Sequence, residues 1–262
     1  MASRPRSVDV RRAADRFWTV ADGLEIRHAF SAGQHYDSAN TSYGPLLGHD
    51  EIVLRPGAGF AAHSHRDVEI VSWVLSGTLV HEDSTGHRRQ IGPGVVQRLR
   101  AGDGVVHSER NGAPHGRTHV VQMTVQAQEG TRAAYASCAL DDAELASGLV
   151  TLASGIPGRG GAVSLSTHGT ALHVGRLNPG VSRVLPDAPR VHLHVMRGTV
   201  VLDGAGPLTA GDAVRLTDGD AVRLTDGDAV RLTDGGDGGD GDGGGTVTAV
   251  AAAEVLIWEL PA

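Results

Sequence analysis

The chain has 262 residues, of which 40% are hydrophobic and 20% charged, as in globular proteins with one large core or two cores of about 100–150 residues each. All 23 basic residues are arginine and the one cysteine is Cys138, so lysine-dependent Schiff-base and P-loop chemistry, internal disulfides and multi-cysteine metal sites are excluded. The net charge of −7 is concentrated between residues 211 and 245, which hold nine Asp and three Arg, and no basic stripe is available to bind nucleic acid.

The sequence near the two ends favours a cytoplasmic protein. Residues 1–17 contain no apolar stretch of the kind that a secretory signal needs. The longest apolar run, residues 249–258, is interrupted by Glu254 and is far shorter than the roughly 20 residues of a membrane span. We therefore expect a cytoplasmic location and no membrane partner.

From residue 25 to residue 125 the sequence consists of short apolar or alternating runs separated by turn residues. The turns are rich in Gly and Pro, as in Arg55-Pro56-Gly57 and Gly92-Pro93-Gly94. The runs expected to form strands are Glu51–Leu54, Glu69–Leu75, Thr78–His81, Val95–Leu99 and His119–Val125. Short strands at such regular spacing predict an all-β sandwich or barrel.

The second half returns to this pattern after a different segment. Residues 133–149 are Ala-rich and tolerate a helix, and the Gly-rich residues 154–161 are typical of a linker. Further strand-like runs are Val163–Leu165, Leu172–Leu177, Val191–Val195, Thr199–Leu202 and Val255–Leu260. We therefore predict two β-domains, residues 1–133 and 161–262, joined by a short helical or linker segment at residues 134–160.

An octapeptide, Gly-Asp-Ala-Val-Arg-Leu-Thr-Asp, occurs three times without change between residues 211 and 234. Identical copies indicate a recent tandem expansion of one strand and turn, because the repeats of solenoid proteins are longer and differ from copy to copy. A calcium-binding Gly/Asp repeat is the alternative, but its nonapeptide pattern is absent. Since every copy has the same alternation, we expect the strand register to be poorly specified here. The Gly/Asp stretch at residues 235–245 is expected to be a solvated loop.

Two short pairs of polar residues suggest a metal site: His63 with His65, and His107 with Glu109. Within each pair the residues are two positions apart, so on a strand their side chains lie on one face. If the two strands are neighbours, three imidazoles and one carboxylate converge, and these are ligands for a divalent transition metal. Glu69 is a competing carboxylate, because it shares the parity of its neighbouring histidines and alternation alone does not separate it from Glu109.

The segments around these pairs resemble known protein families. The two motifs of the cupin superfamily match at His63, His65, Glu69 and His107. The match departs from the cupin motifs by one extra residue before Gly77 and by Gly102 in a position where Pro is usual. Longer segments resemble the narrower pirin family: residues 28–37, 63–71, 74–84 and 101–109. This specific resemblance covers about residues 25–126.

The pirin resemblance implies an all-β bicupin, with two antiparallel jelly-roll β-barrels of which the first holds one metal. It places the metal ligands on His63, His65, His107 and Glu109. Glu69 is then expected to hydrogen-bond behind the ligands or within the barrel. The metal implied is of the iron type, which we take as Fe(II), and Mn, Co, Ni or Cu would suit the same donors.

His192 and His194 form a further pair, but its spacing argues against a second metal site. The two histidines precede Gly198 by six and four residues, whereas the first pair precedes Gly77 by fourteen and twelve. Aligning the two glycines places Val184 at a ligand position. We therefore expect a metal-free C-terminal domain, in which the two histidines line the barrel or lie on a strand.

The resemblance implies two kinds of function. One is quercetin 2,3-dioxygenase-type oxygenation of a flavonol by dioxygen, in which Glu109 is both a metal ligand and the base that takes the proton of the 3-hydroxyl. The alternative is a non-enzymatic, iron-dependent redox sensor that binds a metabolic enzyme or a transcription factor. A third hypothesis is a metal cupin that isomerises a small polar substrate. We expect a monomer.

Overall fold

The computed structural model describes residues 6–218 and 245–262, which form mainly antiparallel β-sheets and one short α-helix. The strands before residue 127 are β1 (Arg6–Arg11), β2 (Phe17–Ala21), β3 (Leu24–His28), β4 (Leu46–Leu54), β5 (Gly59–His65), β6 (Val68–Ser76), β7 (Leu79–Asp83), β8 (Arg88–Ile91), β9 (Val95–Arg100), β10 (Val105–Asn111) and β11 (Thr118–Gln126). The later elements are β12 (Ala134–Ala139), α1 (Asp142–Ala146), β13 (Leu149–Ser154), β14 (Val163–Ser164), β15 (Ala171–Leu177), β16 (Ser182–Val184), β17 (Arg190–Arg197), β18 (Thr199–Leu202), β19 (Gly206–Thr209), β20 (Ala213–Asp218), β21 (Thr246–Ala249) and β22 (Ala253–Leu260). Within this described part, no helix has the length and apolar character needed to cross a membrane.

The described residues divide into two compact units. The N-terminal unit comprises residues 16–142 and 152–168, and the C-terminal unit comprises residues 6–15, 143–151, 169–218 and 245–262. Each unit combines a larger sheet with a four-stranded sheet. The predicted all-β fold with two jelly-roll halves is confirmed.

The N-terminal unit holds a seven-stranded sheet in the order β12-β9-β6-β11-β4-β3-β2 and a four-stranded sheet in the order β5-β10-β7-β8. Apolar side chains of both sheets form its core. One cluster comprises Ile52, Leu54, Val74, Leu79, Ile91 and Val120, and another comprises Ile70, Leu99, Ala101 and Val105. The histidine pairs predicted from the sequence lie on the four-stranded sheet.

The C-terminal unit contains the sheet strands β1-β20-β17-β22-β15 in that order and a four-stranded sheet β16-β21-β18-β19. A large cluster of Val, Leu, Ile and Ala side chains fills it, including Leu193, Val214, Val247 and Ile257. The scarcity of aromatic residues in the sequence therefore agrees with a core built from aliphatic side chains.

The segment expected as a helix or linker contains more strand than helix. Residues 134–139 form β12, which pairs with β9 from Ala134 opposite Arg100 to Ala139 opposite Val95. The helix is limited to the five residues of α1. Pairing with an open sheet edge outweighs the weak helical preference of this Ala-rich segment, because propensity is a small term beside a full ladder of hydrogen bonds.

Strand β1 groups with the C-terminal unit, although residues 1–133 were expected to form one domain. It pairs with β20, placing Val8 opposite Leu216 and Val10 opposite Val214. Strand β20 lies in the first copy of the octapeptide, residues 211–218. The second and third copies, and the Gly/Asp stretch up to residue 244, lie outside the described residues, so the prediction of a poorly specified register remains a prediction.

Candidate metal centre

The central strand of the site is β10, which lies between β5 and β7 in the four-stranded sheet. His107 of β10 is opposite His63 on β5 and opposite Asp83 on β7. Glu109 is opposite His81 on β7. Because residues directly opposite each other on a sheet share a face, this register places the polar side chains of three strands in one row.

His63, His65 and His107 come together as the alternation predicted. Their ligand atoms lie within 4.8 Å of one another. The ring centroids are 4.8 Å apart for His63 and His65, 4.5 Å for His63 and His107, and 5.0 Å for His65 and His107. His107 is buried, whereas the other two rings remain partly exposed, so solvent reaches the group from the β5 side.

The hydrogen bonds of these imidazoles leave nitrogens available to a metal. His63 Nδ1 lies 2.8 Å from the carbonyl oxygen of Ala61, so Nδ1 carries the proton and Nε2 has a free lone pair. Both ring nitrogens of His107 are buried and have no hydrogen-bond partner among the described residues. Buried polar atoms almost always have a partner, and a metal bound here would supply one. The donor set therefore fits a transition metal.

Glu109 follows His107 by two residues on β10 and is 1% exposed. Its two carboxylate oxygens each accept a hydrogen bond from a side-chain amide: the buried Gln97 donates to Oε1 at 3.0 Å, and the half-buried Gln122 donates to Oε2 at 2.7 Å. Each oxygen keeps a further lone pair, so these bonds hold the carboxylate without exhausting its capacity to bind a metal. Glu109 groups with His107 and His81 rather than directly with His63 and His65.

His81 and Asp83 lie beside the proposed ligands His107 and Glu109, and they were not predicted as site residues from the sequence. They are separated by one residue on β7 and face β10. Their spacing repeats the i, i+2 pattern of the two predicted pairs, and this was the signal that could have identified them. Gln97 and Gln122 were also missed, and their signal is an amide that directly follows two valines in a strand run.

The electrostatics of the site favour the protonation states that bind metals. Burial, only partly opposed by the Glu109 carboxylate, lowers the pKa of His107 to about 4. Burial and the neighbouring His63 lower the pKa of His65. Burial alone would raise the pKa of Glu109, but contact with His81 and the proximity of His107 hold it below its usual value. Neutral imidazoles and an ionised carboxylate are the forms that ligate metals.

Glu69, the competing carboxylate, points away from the histidines. It alternates on β6 with Ile70, which packs in the apolar core, so its own side chain lies on the other face of the strand. There Glu69 Oε2 accepts hydrogen bonds from the backbone and hydroxyl of Ser166, at 2.7 and 2.9 Å, and from Thr167. Glu69 would share a face with His63 and His65 if the chain continued as one strand. Asp67, whose φ is 58°, makes a tight turn between β5 and β6, so the alternation does not continue to Glu69.

His192 and His194 of the C-terminal unit are buried on β17. They alternate with Val191, Leu193 and Val195, which belong to the aliphatic core, so the histidines lie on the opposite face of the sheet. They are strand residues and do not line the apolar interior. Among residues 6–218 and 245–262, both groups of converging donors lie on β5, β7 and β10.

Comparisons with known proteins agree with the geometry. A sequence profile of the Pirin family matches residues 8–125. A Mycobacterium tuberculosis protein named "Putative quercetin 2,3-dioxygenase" is 43% identical over 257 residues, covering 98% of this chain and 96% of that protein. An Escherichia coli protein named "Quercetin 2,3-dioxygenase" is 34% identical over 120 residues, covering 46% of this chain and 52% of that protein. The crystal structure of the bacterial pirin YhhW from Escherichia coli in complex with nickel(II) superimposes with a TM-score of 0.81 at 24% identity, covering 97% of this chain and 99% of that chain.

Proposed function

The chain belongs to the pirin family, and from this premise we propose that it binds one divalent transition metal and oxygenates flavonols of the quercetin type. The proposed ligands are His63, His65, His107 and Glu109. The observation that carries the proposal is the convergence of three imidazoles beside a buried carboxylate on neighbouring strands. The names of the Mycobacterium tuberculosis and Escherichia coli relatives support the reaction class.

We take the metal as Fe(II). The Escherichia coli pirin solved with nickel supports a site of this donor chemistry, and Mn, Co and Cu suit the same nitrogen and oxygen ligands. The metal, when bound, would act as a Lewis acid and make a substrate hydroxyl more acidic. The buried His107 and the partly exposed His63 and His65 would hold the metal between two neighbouring strands, with one side open to solvent.

Glu109 is the proposed base for the proton of the flavonol 3-hydroxyl. Its lowered pKa keeps the carboxylate ionised at neutral pH, which is the form that accepts a proton, and the bound metal would make the hydroxyl acidic enough to give its proton up. Gln97 and Gln122 orient the two oxygens from β9 and β11. The partly exposed rings of His63 and His65 leave the β5 side open for a substrate to approach.

The test is turnover of quercetin by metal-loaded protein. Protein purified without oxygen is loaded with Fe(II), and loss of the visible absorbance of quercetin is followed together with release of carbon monoxide. We expect turnover well above that of free iron. His63→Ala is expected to remove both metal retention and turnover, because it deletes one of three imidazole ligands.

Absence of turnover above free iron in fully loaded protein would contradict the oxygenase. The redox-sensor alternative predicts instead that a specific enzyme or transcription factor is captured with iron-loaded protein and lost when the iron is removed or oxidised. The proposal also takes the protein as a cytoplasmic monomer, which cell fractionation and size-exclusion chromatography test.

A further inference from the structure

A buried imidazole–carboxylate pair lies next to the proposed metal ligand Glu109. The side chains of His81 and Asp83 are both 0% exposed, and His81 Nε2 is 3.0 Å from Asp83 Oδ2. The other oxygen of Asp83 accepts hydrogen bonds from the backbone and hydroxyl of Thr85, at 2.9 and 2.6 Å. The residues that follow β7 therefore hold the Asp83 carboxylate in place. Asp83 in its place orients the ring of His81.

This pairing determines which nitrogen of His81 faces the site. Because Asp83 accepts from Nε2–H, the remaining nitrogen, Nδ1, is turned toward Glu109 and lies 3.5 Å from Oε1. Nδ1 is buried and makes no hydrogen bond within residues 6–218 and 245–262. The ring of Tyr135 covers the imidazole, with centroids 5.0 Å apart, so the ring has little freedom to turn away.

Glu109 is thus contacted from three strands. Gln97 of β9 and Gln122 of β11 hold its oxygens by direct hydrogen bonds, and His81 of β7 approaches Oε1 from a third direction. Groups that contact a metal ligand from behind set its orientation, and their loss typically weakens metal binding by about 10–100-fold. The two hydrogen bonds and the approach of His81 together restrict the orientation of the Glu109 carboxylate.

We propose that His81, held by Asp83, is a positioning residue that aims Glu109 at the metal. This inference rests on the proposed metal site and adds residues that the predicted ligand set does not contain. The competing role is direct ligation, because the ligand atoms of His81, His107 and Glu109 also lie within 4.8 Å of one another. A positioning residue changes the affinity and the spectrum of the bound metal, whereas loss of a direct ligand abolishes binding.

Two isosteric substitutions separate the two contacts of His81. The amide of Asn occupies the place of Nδ1 and can still reach Glu109, whereas the amide of Gln occupies the place of Nε2 and can still reach Asp83. Co(II) is the probe, because its visible absorption reports ligand geometry independently of turnover. We expect His81→Gln to weaken Co(II) binding by about 10–100-fold and to shift the spectrum, and His81→Asn to have a clearly smaller effect on both.

The matched control is His87→Gln. His87 contacts the same Asp83 at 3.4 Å but is partly exposed and does not contact Glu109 in the described structure. Its substitution is expected to leave Co(II) affinity and spectrum unchanged. If the His81 variants do not fold, Asp83→Asn provides the second test, since it weakens the acceptor that orients His81 and should shift the spectrum in the same direction as His81→Gln.

Two results would overturn the positioning role. Equal affinity and an unchanged spectrum in wild type, His81→Gln and Asp83→Asn would show that the pair does not act on Glu109. Complete loss of Co(II) binding in both His81 variants would show that His81 is itself a ligand. Wild-type protein that binds no metal would contradict the proposed function instead, so the two failures are distinguishable.

Discussion

At the residue scale, the turn at Asp67 separates two glutamates that the sequence pattern treats alike. Glu69 and Glu109 both follow a histidine at an even spacing, but the positive φ of Asp67 turns the chain between β5 and β6. Glu69 consequently anchors Ser166 and Thr167, while Glu109 faces the imidazoles. The strand face on which each glutamate lies therefore decides which carboxylate is available to a metal.

The two glutamates provide a matched pair of substitutions. Glu109→Gln is expected to weaken metal binding by more than about 100-fold, because it removes the negative charge of a proposed ligand, which costs more than the loss of a group that only contacts a ligand. Glu69→Gln should leave metal binding unchanged but lower the free energy of unfolding by about 1–3 kcal/mol, because it disturbs a buried acceptor of four hydrogen bonds. Metal titration and urea unfolding of both variants measure the two effects. Unchanged metal affinity in Glu109→Gln would remove Glu109 from the ligand set.

At the element scale, three neighbouring strands each contribute one i, i+2 pair. β5 carries His63 and His65, β7 carries His81 and Asp83, and β10 lies between them. The register slips between β5 and β10 at the point where the site is built, since His107 is opposite His63 but Glu109 is opposite Phe60. A β-bulge of this kind changes the direction of the nearby side chains, and bulges are frequent beside functional sites for this reason.

A substitution at Gly59 tests how closely β5 must approach β10. A Cβ at this position would collide with the carbonyl oxygen of Glu109 and the backbone of Arg110. We expect Gly59→Ala to lower the free energy of unfolding by about 1–3 kcal/mol through overpacking. It should also weaken metal retention, because the displaced strand carries two of the imidazoles.

The control for this prediction is Gly92→Ala, since the nearest atom to a Cβ there is 4.0 Å away. This variant is expected to match wild type both in thermal unfolding and in metal retention. Wild-type behaviour of Gly59→Ala would show that β5 moves without cost to the site.

At the scale of the whole molecule, two units of the same architecture have different interiors. The C-terminal unit is filled by aliphatic side chains, whereas the N-terminal unit buries Glu109, His81 and His107 beside its apolar clusters. Buried ionisable groups link the stability of the fold to pH, because folding changes their pKa.

The free energy of unfolding of metal-free protein is therefore expected to depend on pH. The pKa of His107 is about 4 in the fold, below its usual value of 6.5 because of burial, so the unfolded chain binds more protons between these values. Stability from this group is full above pH 6.5 and declines as the pH falls toward 4, by up to about 3 kcal/mol. The pKa of His81 is raised: burial opposes protonation, but Glu109 and Asp83 outweigh it. Its contribution is therefore full below pH 6.5 and declines at higher pH.

Urea unfolding of metal-free protein at several pH values measures this dependence. His107→Gln, which does not titrate, is expected to flatten the slope between pH 4 and 6.5. An equal slope in wild type and His107→Gln would assign the pH dependence to other groups.

Much of the fold and part of the site could be predicted from local patterns. Alternation and turn residues identified central strands of both units, such as β6, β11, β17 and β22, and the i, i+2 spacing of the histidine pairs placed three imidazoles on one face. The segment at residues 134–139 was not predicted as a strand, because its pairing partner β9 lies far along the chain. His81 was not selected, because its i, i+2 pairing with Asp83 indicates a site only once β7 is known to lie beside β10.

The sequence by itself determined the all-β class, the resemblance to pirins and the three converging imidazoles, because each depends on residue types at short, regular spacing. Only the tertiary structure decided that Glu109 faces the histidines, that Glu69 faces away, and that His81, Gln97 and Gln122 surround the chosen carboxylate. The physical reason is that these relations depend on the order and register of strands distant in the chain. One turn or bulge changes the face on which a side chain emerges, and spacing alone does not record it.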